Sequence, residues 1–125
     1  MHRILIVDDE PNIVLALELI MGKAGFEVQT VDDGEKAMHA IAEFRPDLVL
    51  LDIMMPKMGG YEVCQRIRSD ASLKNIRIIM LTAKDRDVEK EKGMVLGVDS
   101  YMTKPFSTRE VVAKVKELLT VHPDR

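Results

Sequence analysis

Five side chains that could act on a phosphoryl group or a divalent cation stand at the ends of apolar runs. Asp8 and Asp9 follow Ile4-Leu5-Ile6-Val7, Asp52 follows Leu48-Val49-Leu50-Leu51, Thr82 follows Ile78-Ile79-Met80-Leu81, and Lys104 ends a run that begins at Val98. Three carboxylates brought close together raise one another's pKa values and repel unless they share a cation. A hard divalent ion is therefore implied, and carboxylate oxygens, a backbone carbonyl and waters are what Mg²⁺ prefers. Lys104 adds a compact positive charge and Thr82 a hydroxyl donor. Metal, ammonium and hydroxyl around one carboxylate form an apparatus that neutralises a transferring phosphoryl group. Asp52 is then the nucleophile, since a carboxylate can take a phosphoryl group as an acyl phosphate. Taken singly, each residue has an ordinary reading: Asp8 and Asp9 cap a helix, Asp52 ends a strand, Lys104 is a solvated turn residue. That all of them fall at strand ends on one edge makes the joint ordinary reading poor.

What positions these residues is an alternation of strands and helices. The run ending in Asp52 is unbroken, as in a strand buried on both faces, and the C-terminal ends of such strands are where open α/β sheets bind ligands. Arg3–Val7 reads as the first strand, with Pro11 suited to the first turn of a helix. Ile13, Ala16, Leu17, Ile20, Met21 and Ala24 fall on one helical face that Gly25 ends. Val14, Leu15 and Leu19 widen that stripe, so this helix should touch a neighbouring helix as well as the sheet. Glu27–Val31 is a short second strand, and Asp32-Asp33-Gly34 turns into a helix with Ala37, Ala40, Ile41 and Phe44 inward. Arg45-Pro46-Asp47 breaks that helix. Lys57-Met58-Gly59-Gly60 is a flexible loop that places backbone near Asp52 ahead of a helix over 61–68.

Arg77–Thr82 and residues 98–103 supply the fourth and fifth strands. A helix is expected between them over 87–96; with few apolar anchors beyond Val88, Val95 and Leu96 it should be the loosest. Ser107-Thr108-Arg109-Glu110 has the spacing of a capping box and opens a final helix with Val111, Val112, Val115, Leu118 and Leu119 inward. Such alternation argues for an α/β fold, a doubly wound parallel sheet.

Composition sets the limits. With 125 residues, 46% of them hydrophobic, the chain suits a single domain with one core. A net charge of −3 gives no basic field for nucleic acid, and no apolar stretch approaches the ~20 residues that span a bilayer. With one cysteine, Cys64, and no leader before the first strand, a soluble cytosolic protein is expected. His2, His39 and His122 have no ligand spacing, so no zinc site is proposed, and the nine methionines read as core filler. Neither glycine-rich nucleotide fingerprint occurs.

From Arg3 to Leu119 the sequence resembles the receiver domain of two-component response regulators. The matching pieces are Asp8-Asp9, Asp52-Ile53-Met54-Met55-Pro56 with Gly59-Gly60, Thr82-Ala83, and Lys104-Pro105-Phe106, in that order. The resemblance implies a flavodoxin-like sheet of five parallel strands in the order 2-1-3-4-5 with five helices. Residues 1–120 would form the receiver domain and 121–125 a tail or the start of a linker. It further implies phosphorylation of Asp52 by a histidine kinase, a phosphotransfer protein or a small acyl phosphate, with Mg²⁺ on Asp9, Asp52 and the Met54 backbone carbonyl and Asp8 acting through water. Lys104 would pair with the phosphoryl group and precede a cis proline bond, and Thr82 and Tyr101 would be the switch residues. Met54 and Lys84 stand where receivers vary and tune phosphoryl lifetime; neither obviously orients an attacking water. An output domain or target protein would read the surface of the fourth helix, fifth strand and fifth helix. A homodimer formed on phosphorylation stays open, since Asp99-Ser100 carries one acid before Tyr101 where receivers that pair through this surface carry two.

Three classes of function compete. A signalling switch catalyses only its own phosphoryl uptake and loss and is no enzyme toward a metabolite. A Mg²⁺-dependent phosphohydrolase of the dehalogenase type wants Asp-x-Asp after the first strand, where this chain has adjacent Asp8-Asp9; turnover of a phosphomonoester would favour it. A flavodoxin-like cofactor binder wants hydroxyl-rich loops and aromatic faces, which a chain with no Trp, three Phe and two Tyr lacks; a bound yellow flavin would favour it.

Overall fold

The computed structural model describes residues 1–83 and 97–120. The helix expected over 87–96, Lys84, His122 and the tail over 121–125 lie outside the described residues. Within them run β1 (Arg3–Val7), α1 (Pro11–Lys23), β2 (Glu27–Val31), α2 (Gly34–Phe44), β3 (Leu48–Asp52), α3 (Gly60–Ser69), a 3-10 turn (Ala71–Leu73), β4 (Arg77–Thr82), β5 (Ser100–Thr103) and α4 (Thr108–Leu119). All strand pairs are parallel and the order is β2-β1-β3-β4-β5.

Every residue of β3 is buried, as its unbroken apolar run requires. Leu5, Val7, Val49, Leu51, Ile78 and Met80 face one layer with Ala37, Ile41 and Phe44 of α2 and Val63, Cys64 and Ile67 of α3. Ile4, Ile6, Leu48, Leu50, Ile79 and Leu81 face the other with Leu17 and Met21 of α1 and Val111 and Val115 of α4. Each fully buried Leu or Ile stabilises the fold by about 1.5–3 kcal/mol. Met21, Met58, Met80 and Met102 sit in these cores, whereas Met54 is exposed.

Helix ends follow from local chemistry. Asp33 caps α2 by accepting the Lys36 N–H at 2.8 Å, and Arg45 ends it in the left-handed region at φ 52°. Ser107 Oγ accepts the Glu110 N–H at 3.0 Å, the half of the capping box that this helix uses. Gly25, at φ 95°, follows α1. The apolar stripe of α1 does meet a neighbour: Ile13 and Ile20 pack in one cluster with Val112 of α4. Its outer part is not covered, for Leu15 and Leu19 remain more than half exposed.

Strand β5 begins two residues later than the apolar pattern suggests. Val98 is buried, but Asp99 is taken up by β4 and by arginines: its Oδ2 accepts the Ile78 N–H at 2.8 Å and an Arg68 guanidinium N–H at 2.9 Å. No helix among the described residues is long and apolar enough to cross a membrane.

Candidate functional site

Parallel register brings four strand ends to one rim. Val7 pairs with Leu51, Asp52 with Leu81 and Thr82 with Thr103, so Asp8, Asp52, Thr82 and Lys104 come out side by side. Lys104 N–H donates to the Thr82 carbonyl at 2.7 Å, and Ile53 N–H to the Leu81 carbonyl at 3.2 Å, extending the ladder to the edge. The Lys104–Pro105 bond is cis.

Asp8, Asp52 and Thr82 are buried, and the Lys104 side chain is only 12% exposed. The Lys104 ammonium lies 2.7 Å from Glu10 Oε1, 2.9 Å from Asp8 Oδ2 and 3.5 Å from Asp52 Oδ1. Asp8, Glu10 and Asp52 each bring a carboxylate oxygen within 4.8 Å of the others, a spacing one cation could bridge. Asp8 Oδ1 accepts the Glu10 N–H at 2.9 Å. Asp8 Oδ2 is buried, and what it faces among the described residues is the Lys104 ammonium, shared with two other acids and not aligned as a regular hydrogen bond. A buried carboxylate oxygen left in this way is what a hydrated hard cation would satisfy, so the residues present fit Mg²⁺.

The electrostatics of the rim are set by burial first. Burial, then the Asp8 charge, push the Asp52 carboxyl up to about 6, against the pull of Lys104. Burial works against the Lys104 ammonium, but the carboxylates of Glu10, Asp8 and Asp52 outweigh it and hold the lysine above its ordinary range. One ammonium thus partly balances three acids.

Asp9 is exposed and stands outside the set of converging acids. The Met54 side chain is exposed too, in the loop that leaves Asp52. That loop returns at Gly60, whose N–H donates to the Ile53 carbonyl at 2.9 Å and where a β-carbon would overlap the Asp52 carbonyl oxygen. The expected approach of glycine backbone to Asp52 is therefore present. Tyr101 is half-buried against the core cluster under α2 and α3. The residue that sequence reasoning missed is Glu10. It stands at the N-cap of α1, where its side chain makes no cap hydrogen bond and instead reaches Lys104, 94 positions away. A long acid at a cap position usually held by Ser, Thr, Asp or Asn, next to two other acids, was the available signal.

The family described as response regulator receiver domain matches residues 4–116. The alkaline phosphatase synthesis transcriptional regulatory protein PhoP of Bacillus subtilis (strain 168) is 47% identical over 117 residues, which are 94% of this chain and 48% of that protein. The chain thus spans about half the length of that curated relative. Among solved structures, chemotaxis protein CheY4 of Vibrio cholerae superposes with a TM-score of 0.90 at 29% identity, covering 94% of this chain and 98% of that one. The BeF3-activated DrrB receiver domain gives 0.87 at 32% identity, over 97% and 99% of the two chains.

Proposed function

The chain belongs to the response regulator receiver domain family, which works in phosphorylation-dependent two-component signalling, and from that premise we propose that Asp52 is its phosphoacceptor. The observation that carries the proposal is the buried Asp52 carboxylate at the end of the central strand, 3.5 Å from the Lys104 ammonium and beside Asp8.

An Asp52 oxygen attacks the phosphorus of a phosphohistidine or a small acyl phosphate. The bond from phosphorus to the donor nitrogen or oxygen breaks, the electron pair leaves with the donor, and an aspartyl phosphate forms. Above the Asp52 pKa of about 6 the nucleophile is already ionised and needs no base. Lys104 supplies positive charge to the phosphoryl oxygens, and the Thr82 hydroxyl, buried on the adjacent strand, donates to one of them once the group is in place. Mg²⁺ held by Asp9, Asp52 and the Met54 carbonyl, with Asp8 reached through water, would neutralise further phosphoryl charge.

Several finer readings belong with this one. The receiver domain occupies residues 1–120, with 121–125 a tail or linker. Its donor is a histidine kinase or phosphotransfer protein and its reader an output domain or target protein. Thr82 and Tyr101 form the switch, and the domain itself binds no nucleic acid, acts in the cytoplasm and processes no metabolite. A homodimer formed on phosphorylation would use the helix expected over 87–96, β5 and α4.

Incubation with acetyl phosphate and Mg²⁺ followed by mass spectrometry tests the assignment. The parent should gain one phosphoryl mass and Asp52→Asn none; full labelling of the variant would sink it.

A further inference from the structure

Gly34, the first residue of α2, has no room for a side chain. A β-carbon there would overlap the Met58 carbonyl oxygen and stand 2.5 Å from Met58 Cβ. The start of this helix therefore meets the loop over 53–59 backbone to backbone. Two further contacts hold the same junction. Met58 is buried in the core cluster with Ala37 and Val63, and Asp33, itself buried as the α2 cap, stands 3.7 Å from the Lys57 ammonium. Two residues beyond Met58 the loop closes on Gly60, packed against the Asp52 carbonyl. The C-terminal part of the loop that carries the Met54 backbone is thus wedged between the start of α2 and Asp52. By contrast, a β-carbon at Gly22 would meet nothing within 4 Å.

We propose that Gly34 is a positioning residue for the Asp52 site: its missing side chain sets how deep the loop over 53–59 sits, and so where the Met54 backbone stands beside Asp52. The inference rests on Asp52 as the acceptor. An alanine at 34 must drive the Met58 carbonyl away by about 1 Å, and a misplacement of that size, remote from the chemistry, can cost ~100-fold in rate.

The test compares Gly34→Ala, Met58→Ala and Val115→Ala. Two quantities are read: the initial rate of phosphorylation at saturating acetyl phosphate with Mg²⁺, and the backbone amide chemical shifts of residues 53–60 in metal-free protein. Val115 lies in the core on the opposite face of the sheet, so its truncation lowers stability without touching the loop. Gly34→Ala should shift the amides of 53–60 and slow labelling by about ten-fold or more, while Val115→Ala unfolds at lower denaturant and does neither. If Gly34→Ala fails to fold, Met58→Ala carries the test; it frees the loop from the core and should shift the same amides and slow labelling several-fold. Unmoved amides, a rate within about two-fold of the parent in the variant that folds, or an equal loss in Val115→Ala would each overturn the proposal. Failure of the Asp52 assignment looks different, for parent and Asp52→Asn would then label alike, whereas the metal-free amide shifts report on the loop whichever carboxylate is labelled.

Discussion

Asp52 holds its negative charge against both burial and the Asp8 charge, and that conflict predicts a pH dependence. Its carboxyl titrates at about 6 in the fold, against 3.8 ordinarily. A raised carboxyl pKa means the folded state holds the proton more tightly than the unfolded chain. The ionised group therefore destabilises the fold above pH ~6, and the penalty fades as pH falls through 6 and is gone below ~4. In metal-free buffer at about pH 7.5, Asp52→Asn should be more stable than the parent by roughly 1–3 kcal/mol, and the difference should shrink toward zero near pH 4. Urea unfolding at several pH values measures it; a constant difference would contradict it. The neighbouring acids divide by what already engages them. Asp8 has one oxygen on the Glu10 N–H and the other against Lys104, and Glu10 is itself paired with Lys104. Asp9, exposed beside them, makes no such contact among the described residues, and the proposal gives it the cation directly. Asp9→Ala should therefore need far more Mg²⁺ for phosphorylation than Asp8→Ala. Equal Mg²⁺ titration curves for the two variants would refute this. Glu10 as a partner of Lys104 was not legible, because sequence adjacency does not reveal a contact made across 94 positions.

At the level of elements, the apolar runs made β1, β3 and β4 legible, and with them the rim, since a strand buried on both faces has little else it can be. β5 was legible in place but not in extent. Asp99 caps the Ile78 N–H and pairs with Arg68, and those partners come from distant elements that periodicity cannot register. Gly34 read as turn chemistry for a similar reason, since its close approach to Met58 exists only in the fold. The α1 stripe correctly announced a neighbouring helix but not how much of the stripe that helix would leave exposed. The proposed switch belongs to this scale too. Thr82 ends β4 beside Asp52, and Tyr101 lies in β5 opposite Met80. An aspartyl phosphate brings nearly two negative charges and strong acceptor oxygens, so a Thr82 hydrogen bond to it is worth about 1.5–3 kcal/mol, enough for a ten-fold population change or more. Thr82→Ala should still label at Asp52 yet lose the change at Tyr101. Amide hydrogen exchange across 87–101, with and without beryllofluoride, should change in the parent and not in the variant. The same change in both would remove Thr82 as the coupling residue.

Over the whole molecule, two core layers hold the sheet while its C-terminal rim gathers charge that one lysine cannot balance. The layers offset the penalty of an ionised Asp52 at a rim where Asp8, Glu10 and Asp52 converge. A cation that binds this rim binds only the folded chain, since the unfolded one scatters Asp8, Asp9 and Asp52 along 45 residues. Mass action then stabilises the fold by about 2.7 kcal/mol at a hundred times the Kd. For a domain of this size that is a rise in Tm of the order of 10 °C. The rise should be far smaller in Asp52→Asn, which keeps the shape of the rim and lacks the central charge. It should also weaken near pH 5 in the parent, because protons then compete for an Asp52 whose pKa is about 6. Differential scanning calorimetry with Mg²⁺ against Na⁺ at matched ionic strength separates binding from screening. An equal rise with Na⁺, or an undiminished rise in Asp52→Asn, would show that the rim takes no specific cation and that its acids serve Lys104 alone.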